Sequence, residues 1–190
     1  MWTNEIHEVI TIVSKALRNA GIEYAITGSV ASGMYGEPVS TQDVDFVVRM
    51  NEAQARTFTL ALPQRFYRNE ESLANAARNG GMVNVIDMDT TFKVDLSVVP
   101  MTAFHRSVFE RRQRVELQPG GEGLDVVSPE DIILMKLLWR KDSRSVKQWE
   151  NALSVARVLG ARLDWKYLFE QAKTLGIEDD LVKLRDEAGV

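Results

Sequence analysis

The sequence contains no cysteine and only two histidines, His7 and His105. Without cysteine the chain forms no disulfide bonds, and it cannot build a zinc site from thiolate ligands. Two histidines are also too few for a histidine-rich metal centre. Any metal site must therefore rely mainly on oxygen ligands, which favour hard cations such as Mg²⁺.

Features that would direct the chain to a membrane or to nucleic acid are also missing. The N-terminal segment lacks the basic and then apolar pattern of a signal peptide, and no apolar run approaches the length of a membrane span. We therefore expect a cytoplasmic location and no membrane partner. The formal net charge is −4, so a large nucleic acid is not an expected partner, although a local basic patch is compatible with this charge.

Two motifs of well-characterised enzyme classes are absent. The chain has no G-x-x-x-x-G-K-[ST] segment, which excludes a P-loop nucleotide hydrolase. It has no G-x-S-x-G segment either, which argues against a serine hydrolase.

The pattern of apolar residues predicts an α/β (α+β) fold with a sheet flanked by helices. The 190 residues, 45% of them hydrophobic, suit one domain or a domain with an appendage. Up to residue 127, stretches with strand character alternate with segments of helical periodicity. From Ser128 onward the pattern is helical almost to the end, and Ser128-Pro129 is a strong helix start. We therefore predict a core of residues 1–127 and a helical part of residues 128–190 packed on it.

The segment from residue 23 to residue 45 organises the chain. Residues 23–27 predict a short strand that ends at Gly28, where glycine allows a sharp turn and the close approach of a ligand. Ser29 can begin the following helix, so its hydroxyl group and the amides of the first turn would point at an anion. Gly28 and Ser29 are therefore candidate phosphate-binding residues.

Three aspartates are candidate metal ligands. Asp43 and Asp45 are two residues apart in the strand predicted for residues 42–49, so they share one face of the sheet. Taken alone, this pair would more simply be a solvated strand end. Asp95 lies in the otherwise apolar second strand of a predicted hairpin, residues 92–99, where an unpaired carboxylate is costly. If the strands are neighbours, the three acids form a cluster, and a divalent cation would relieve their repulsion.

The combined pattern resembles the polymerase-beta-like nucleotidyltransferase superfamily, on the basis of Gly28-Ser29, Asp43-x-Asp45 and the later Asp95. The resemblance covers roughly residues 5–150 and is strongest for the minimal, antibiotic-modifying and toxin-type members. It implies a mixed sheet and an Mg²⁺-dependent enzyme that moves an NMP from an NTP to an acceptor hydroxyl and releases pyrophosphate. The acceptor, which could be a small molecule, a protein or an RNA end, is unknown.

The resemblance also implies a role for each residue of the pattern. Gly28 and Ser29 would hold the triphosphate of the NTP. Asp43 and Asp45 would bind two Mg²⁺ ions, with Mn²⁺ as an alternative. Asp95 would ligate the second ion and help to take the proton of the acceptor.

Three further residues are candidates for nucleotide binding. The segment 134–142 resembles the helix that follows the core in small members, which suggests Lys136 and Asp142. The alternative for Lys136 is a lysine that snorkels from an amphipathic helix. Lys93 shares a face with Asp95, and it would either replace a missing phosphate-binding cation or only neutralise Asp95.

Two positions depart from the pattern of the small members. Val39 stands where they often carry a basic residue in the loop before Asp-x-Asp, and Ser145 stands where many carry a second acid. These departures leave open a non-catalytic module that keeps the fold and binds nucleotide or protein. A third interpretation is a toxin held by an antitoxin-like protein partner, which would share the chemistry. The presence of all three acids favours an enzyme.

Overall fold

The computed structural model describes residues 3–38, 40–116 and 120–190, with every side chain in these ranges except that of Asp142. Its helices are α1 (Asn4–Asn19), α2 (Gly28–Tyr35), α3 (Glu52–Ala61), α4 (Glu70–Asn79), α5 (Ala103–Arg111), α6 (Pro129–Ser143), α7 (Val146–Leu159), α8 (Trp165–Leu175) and α9 (Glu178–Ala188). Its strands are β1 (Glu23–Thr27), β2 (Asp43–Arg49), β3 (Phe66–Tyr67), β4 (Gly81–Asp87), β5 (Lys93–Val98), β6 (Gln113–Glu116) and β7 (Gly123–Val126). No helix among the described residues combines the length and the apolar character needed to cross a membrane.

The seven strands of the described residues form one mixed sheet with the order β3-β4-β5-β2-β1-β7-β6. Two neighbouring pairs are parallel, β2 with β5 and β1 with β7, whereas β1 and β2 are antiparallel to each other. The remaining pairs are antiparallel. This mixed sheet, accompanied by helices, confirms the predicted α/β class.

The chain divides into two compact units. The first comprises the described residues of Met1–Thr27 and Ser40–Val126, and it contains the whole sheet with α1, α3, α4 and α5. The second comprises the described residues of Gly28–Val39 and Val127–Val190, and it contains α2 and α6 to α9. The junction between β1 and α2 is therefore also a junction between units.

Strand β2 has one face in the core of the first unit. Its alternate residues Val44, Phe46 and Val48 have no exposed surface, and burial of an apolar side chain of this size contributes about 1.5–3 kcal/mol to stability. Because side chains alternate along a strand, this apolar row places Asp43 and Asp45 on the opposite face. Both acids are partly exposed.

The β4–β5 hairpin is closed by a buried aspartate at its turn. The N–H group of Asp87 donates to the carbonyl oxygen of Phe92 at 3.0 Å, and its carboxylate accepts a hydrogen bond from the Thr90 hydroxyl at 3.0 Å. Arg65 Nε lies 3.2 Å from the same carboxylate, so this buried charge is compensated. The turn sets the antiparallel register of β4 with β5, and the predicted hairpin is confirmed.

In the second unit, α2 packs against α6 and α7. The end of α2 passes close to α7, because a Cβ atom at Gly36 would lie 2.6 Å from Ser154 Oγ. The N–H group of Glu37 donates to the same oxygen at 2.8 Å. Glycine at position 36 permits this close approach, and a larger residue would push the two helices apart.

A buried polar network holds the beginning of α6. Ser128 is the N-cap, as predicted, and its Oγ accepts a hydrogen bond from the Asp131 N–H at 3.2 Å. The fully buried Asp131 carboxylate accepts hydrogen bonds from the hydroxyl groups of Ser128 at 2.7 Å and Tyr167 at 2.6 Å. Glu130 accepts a hydrogen bond from the Asp164 N–H at 3.1 Å. The network ties α6 to α8, and α6 carries one of the predicted nucleotide-binding lysines.

Replacing Tyr167 by Phe should destabilise the protein by about 1.5–3 kcal/mol, because the buried Asp131 carboxylate would lose the hydrogen bond that the Tyr167 hydroxyl donates to it. The free energy of unfolding in urea measures this loss. The same change at Tyr67, which is 55% exposed, is the matched control and should alter stability by less than about 0.5 kcal/mol. Equal effects of the two substitutions would contradict a stabilising role for the network.

Candidate functional site

Four charged residues lie on one face of the sheet where β2 and β5 run side by side. In this parallel pair, Asp45 stands opposite Asp95 and Asp43 stands opposite Lys93. Directly paired residues project from the same face of a sheet, and so do residues two apart in one strand. The register therefore brings the three acids and the lysine onto one face, as expected for neighbouring strands.

Lys93 forms ion pairs with two of these acids. Its Nζ lies 2.9 Å from Asp95 Oδ2 and 3.4 Å from Asp43 Oδ1. The Asp95 side chain is only 11% exposed, whereas that of Asp43 is 48% exposed. The hydrogen bond to Asp95 raises the pKa of the Lys93 ammonium group above its usual range; burial opposes this rise, and the charges of Asp95 and Asp43 add to it. Of the two interpretations of Lys93, these contacts support neutralisation of the acids.

The chemistry of this face fits a hard divalent cation, because three of its four charged side chains offer carboxylate oxygens. Among the described residues, however, no three Asp, Glu or His side chains form a group that could hold a metal ion. The Lys93 ammonium group instead lies within ion-pair distance of both Asp43 and Asp95. Carboxylates are suitable ligands for Mg²⁺ or Mn²⁺. The assignment of Asp43, Asp45 and Asp95 as ligands of such an ion remains a prediction.

Asn84 is a polar residue of this region that the sequence pattern did not reveal. It is exposed, and it stands opposite Asp95 in the β4–β5 pair, so its amide lies on the acidic face and can donate hydrogen bonds there. Asn84 can be placed on this face only from the register of the hairpin, and this register depends on the turn between Asp87 and Phe92. That turn places Thr91 at a φ of 62°, which a non-glycine residue rarely adopts. The residue types therefore do not specify the register.

Gly28 and Ser29 form the beginning of α2 in the second unit. Gly28 has a φ of 65°, which glycine adopts without a steric penalty. The first N–H groups of a helix have no partner within the helix, and none of the eight residues of α2 is acidic. The predicted change from strand to helix at Gly28 is confirmed, and the phosphate-binding role of both residues stays a prediction.

Lys136 is buried within α6, with an exposed fraction of 2%. It therefore does not extend from the helix into solvent, and the snorkelling interpretation is wrong. Its Nζ lies 5.6 Å from the centre of the Trp139 ring, within range of a cation–π interaction. Lys136 is therefore enclosed in the packing around α6, and its suggested role in nucleotide binding stays a prediction.

Ser145 has a structural role at the position where many small nucleotidyltransferases carry an acid. It is the N-cap of α7, and its Oγ accepts a hydrogen bond from the backbone N–H of Gln148 at 3.4 Å. Serine and aspartate are both good N-caps, so this departure preserves the start of the helix. Val39 and the side chain of Asp142 lie outside the described residues, and their suggested roles stay predictions.

Tyr35, the last residue of α2, has a hydroxyl group with a strongly raised pKa. Burial raises the pKa of the Tyr35 hydroxyl from 10.0 to about 12, with a smaller contribution from the negative charge of Glu130. Both causes disfavour the phenolate. The folded protein therefore keeps this proton at pH values where an unfolded tyrosine has lost it.

Two solved structures show which fold this chain resembles. An antigenic nucleotidyltransferase-like protein from Paracoccidioides brasiliensis has 16% sequence identity and a TM-score of 0.55, with 97% of this chain and 94% of that chain covered. The antibiotic-resistance factor ANT(2'')-Ia has 12% identity and a TM-score of 0.53, with 90% of this chain and 94% of that chain covered. No protein-family model and no curated protein matches the sequence. At these identities the likeness concerns the fold, and the predicted polymerase-beta-like nucleotidyltransferase fold is confirmed.

Replacing Tyr35 by Phe should reduce the loss of stability at alkaline pH. Below pH 10 the Tyr35 hydroxyl is protonated in both the folded and the unfolded chain, so its contribution is fully present. As the pH rises from 10.0 to about 12, the unfolded chain releases the proton and the folded protein retains it, so the contribution is lost. The free energy of unfolding, measured across this range, should therefore fall less steeply for Tyr35→Phe than for the parent.

The same substitution at the exposed Tyr67 is the matched control for this experiment. Tyr67→Phe should leave the slope of the free energy of unfolding against pH close to that of the parent. A change of slope as large as that of Tyr35→Phe would show that burial of Tyr35 is not the cause.

Proposed function

We propose that this protein is a nucleotidyltransferase that moves a nucleoside monophosphate from an NTP to an acceptor hydroxyl. The observation that carries the proposal is the β2–β5 register, which sets Asp45 opposite Asp95 with Asp43 on the same face. Like charges placed directly opposite each other destabilise a sheet, so this arrangement has no evident structural benefit. It suits a reaction that needs cations, and the nucleotidyltransferase fold supports that class of reaction.

In the proposed reaction Asp43, Asp45 and Asp95 hold Mg²⁺, with Mn²⁺ as the alternative. When bound, the metal would neutralise phosphate charge and favour ionisation of the acceptor hydroxyl. A new bond forms between the acceptor oxygen and the α-phosphorus, the bond from that phosphorus to the β-phosphate oxygen breaks, and pyrophosphate leaves. The proton of the acceptor passes to Asp95, which is the most buried of the three acids.

Nucleotide binding is assigned to backbone amides, to a hydroxyl group and to two charged side chains. Gly28 and Ser29 would bind the triphosphate through the first turn of α2, where helix amides favour an anion. Lys136 and Asp142 are proposed to contact the nucleotide as well. The position of Lys136 on α6 supports this assignment, because α6 packs against the α2 helix that carries Gly28 and Ser29. The NTP is therefore the first substrate that we propose.

The acceptor is a hydroxyl group of a small molecule, a protein side chain or an RNA end. A screen of the four labelled NTPs against pools of these acceptors would identify both substrates, with labelled product and released pyrophosphate as the two readouts. Transfer to a protein would also test a toxin-type role with an antitoxin-like partner.

The ion pairs of Lys93 favour a second candidate function. They partly compensate the charges of Asp95 and Asp43 without any ligand, as would suit a non-catalytic module that keeps the fold and binds nucleotide or protein. The two functions differ in their need for metal, because only the enzyme requires the acids to hold a cation. Metal-dependent nucleotide binding therefore separates them.

Asp43→Asn/Asp45→Asn should lower the affinity for an NTP in Mg²⁺ by at least tenfold, equivalent to about 1.4 kcal/mol. The physical reason is that amides replace two carboxylates that attract the cation. Calorimetric titration with an NTP analogue that cannot release pyrophosphate measures binding without turnover. Omission of Mg²⁺ should weaken binding to the parent and should change binding to the double variant little.

A control with the same chemical change lies on α9 in the second unit. Asp186 has a side chain that is 65% exposed and is paired with the neighbouring Arg185, so Asp186→Asn should bind the analogue like the parent. Equal Mg²⁺-dependent affinity of the parent and the double variant would reject the metal site and, with it, the proposed reaction.

A further inference from the structure

Three arginines line a cavity at the end of β2 that is farthest from Asp43. Arg49 is the last residue of β2 and Asp43 is the first, so the two positions are about 20 Å apart along the strand. Arg106 belongs to α5, and Arg112 follows directly after this helix. The cavity has a volume of about 280 Å³ and lies within the first compact unit. Its other lining residues are Glu23, Met101, Phe109 and Glu110.

The arginines bring more positive charge to this cavity than its acids offset. Glu23 stands opposite Arg49 in the β1–β2 pair, and its carboxylate is shared between Arg49 at 3.3 Å and Arg112 at 3.8 Å. Among the described residues, neither Arg106 nor Glu110 takes part in an ion pair, and both are exposed. Three guanidinium groups against two carboxylates leave one positive charge in the lining, although the net charge of the chain is −4.

The guanidinium groups keep hydrogen-bond donors that their present partners do not use. Each guanidinium group presents several N–H donors in a planar fork. Arg112 lies 3.6 Å from Asp125 and 3.8 Å from Glu23, and both distances exceed that of a good hydrogen bond. Arg49 donates a hydrogen bond to Glu23 at 3.3 Å. Donors that surround one cavity and remain unused suit a ligand with several acceptor oxygens.

The phosphate group of a small monoester matches this arrangement. It offers more acceptor oxygens than a carboxylate and carries up to two negative charges, and arginine forms paired, charge-assisted hydrogen bonds with it. A neighbouring cavity of about 320 Å³ shares Glu23 and Arg49 with the first and continues along Met50 and Asn51. Its volume is suited to the organic part of a small ester.

We propose that Arg49, Arg106 and Arg112 form a second ligand site, which binds the phosphate group of a small phosphate monoester. The phosphate oxygens accept hydrogen bonds from the guanidinium groups, and Glu23 competes with the ligand for two of these groups. The inference does not rest on the proposed function, because it uses none of the residues assigned to the NTP or to the metal.

The test is a titration of the ¹⁵N-labelled full chain with inorganic phosphate at constant ionic strength, followed by the backbone amide signals in NMR spectra. We expect saturable shifts in residues 49–54 and 101–112. Arg106→Gln should weaken the affinity by about tenfold, because a pair of charge-assisted hydrogen bonds is lost. Glu23→Gln should strengthen the affinity, because it removes the competing carboxylate.

A control with the same chemical change lies on α7 in the second unit. Arg157 has a side chain that is 55% exposed, so Arg157→Gln should bind phosphate like the parent. The amide spectrum checks that each variant is folded. If Arg106→Gln is not folded, Arg49→Gln takes its place, and the same loss of affinity is expected.

Three outcomes would overturn the inference. The first is equal affinity of the parent and the arginine variant for phosphate, and the second is equal affinity of the parent for acetate and phosphate. The third is a set of shifts confined to the first turn of α2, which would place phosphate at Gly28 and Ser29 alone and leave the proposed function standing. A failure of metal-dependent NTP binding, in turn, would not affect this second site.

Discussion

The parallel pairing of β2 with β5 is the constraint on which the acidic face depends. On the opposite face the same register pairs Val44 with Val94 and Phe46 with Leu96, all of them fully buried. A slip by one residue would turn every side chain of a strand to the other face, exposing apolar groups and burying charges. The apolar pairs therefore hold the acids in place, and the acids need no attraction of their own to stay together.

This arrangement has an electrostatic cost that Lys93 partly offsets. Asp45 and Asp95 are paired across adjacent strands, where like charges are unfavourable. The Lys93 ammonium group forms ion pairs with Asp43 and Asp95, and it lies closer to Asp95, which is the less exposed of the two. Local rules of stability are most often broken at functional sites. A compensated acidic group is therefore better explained by ligand chemistry than by folding alone.

The extent to which the sequence predicts this structure follows from the range of each interaction. Local signals predict the start of α6 at Ser128 and the strand that begins at Asp43, because caps and alternation involve neighbouring residues. The pairing of Asp45 with Asp95 joins strands that are far apart in sequence, so it could only be stated as a condition. The ion pairs of Lys93 depend on that pairing, which explains why the two interpretations of Lys93 were equivalent in the sequence.

Burial was the property of the candidate residues that was hardest to predict. Lys136 follows a helical pattern that suits a snorkelling lysine equally well, and only the packing of α6 shows that it is buried. Ser145 shows the converse case, because its N-cap bond gives a structural reason for a residue that otherwise counts against activity. A sequence motif predicts neither the burial of Lys136 nor the capping role of Ser145, because both depend on the surrounding structure.

The candidate residues are divided between the two compact units. Asp43, Asp45 and Asp95 belong to the unit that contains the sheet, whereas Ser29 and Lys136 belong to the helical unit. Within each unit the elements that carry the candidates contact each other directly: β2 pairs with β5, and α2 packs against α6. The candidates for cation binding and the candidates for nucleotide binding are therefore each supported by their own unit. A substitution that loosens the network at the start of α6 would act first on the helices that carry the nucleotide-binding candidates, and the sheet register would keep the acids in place.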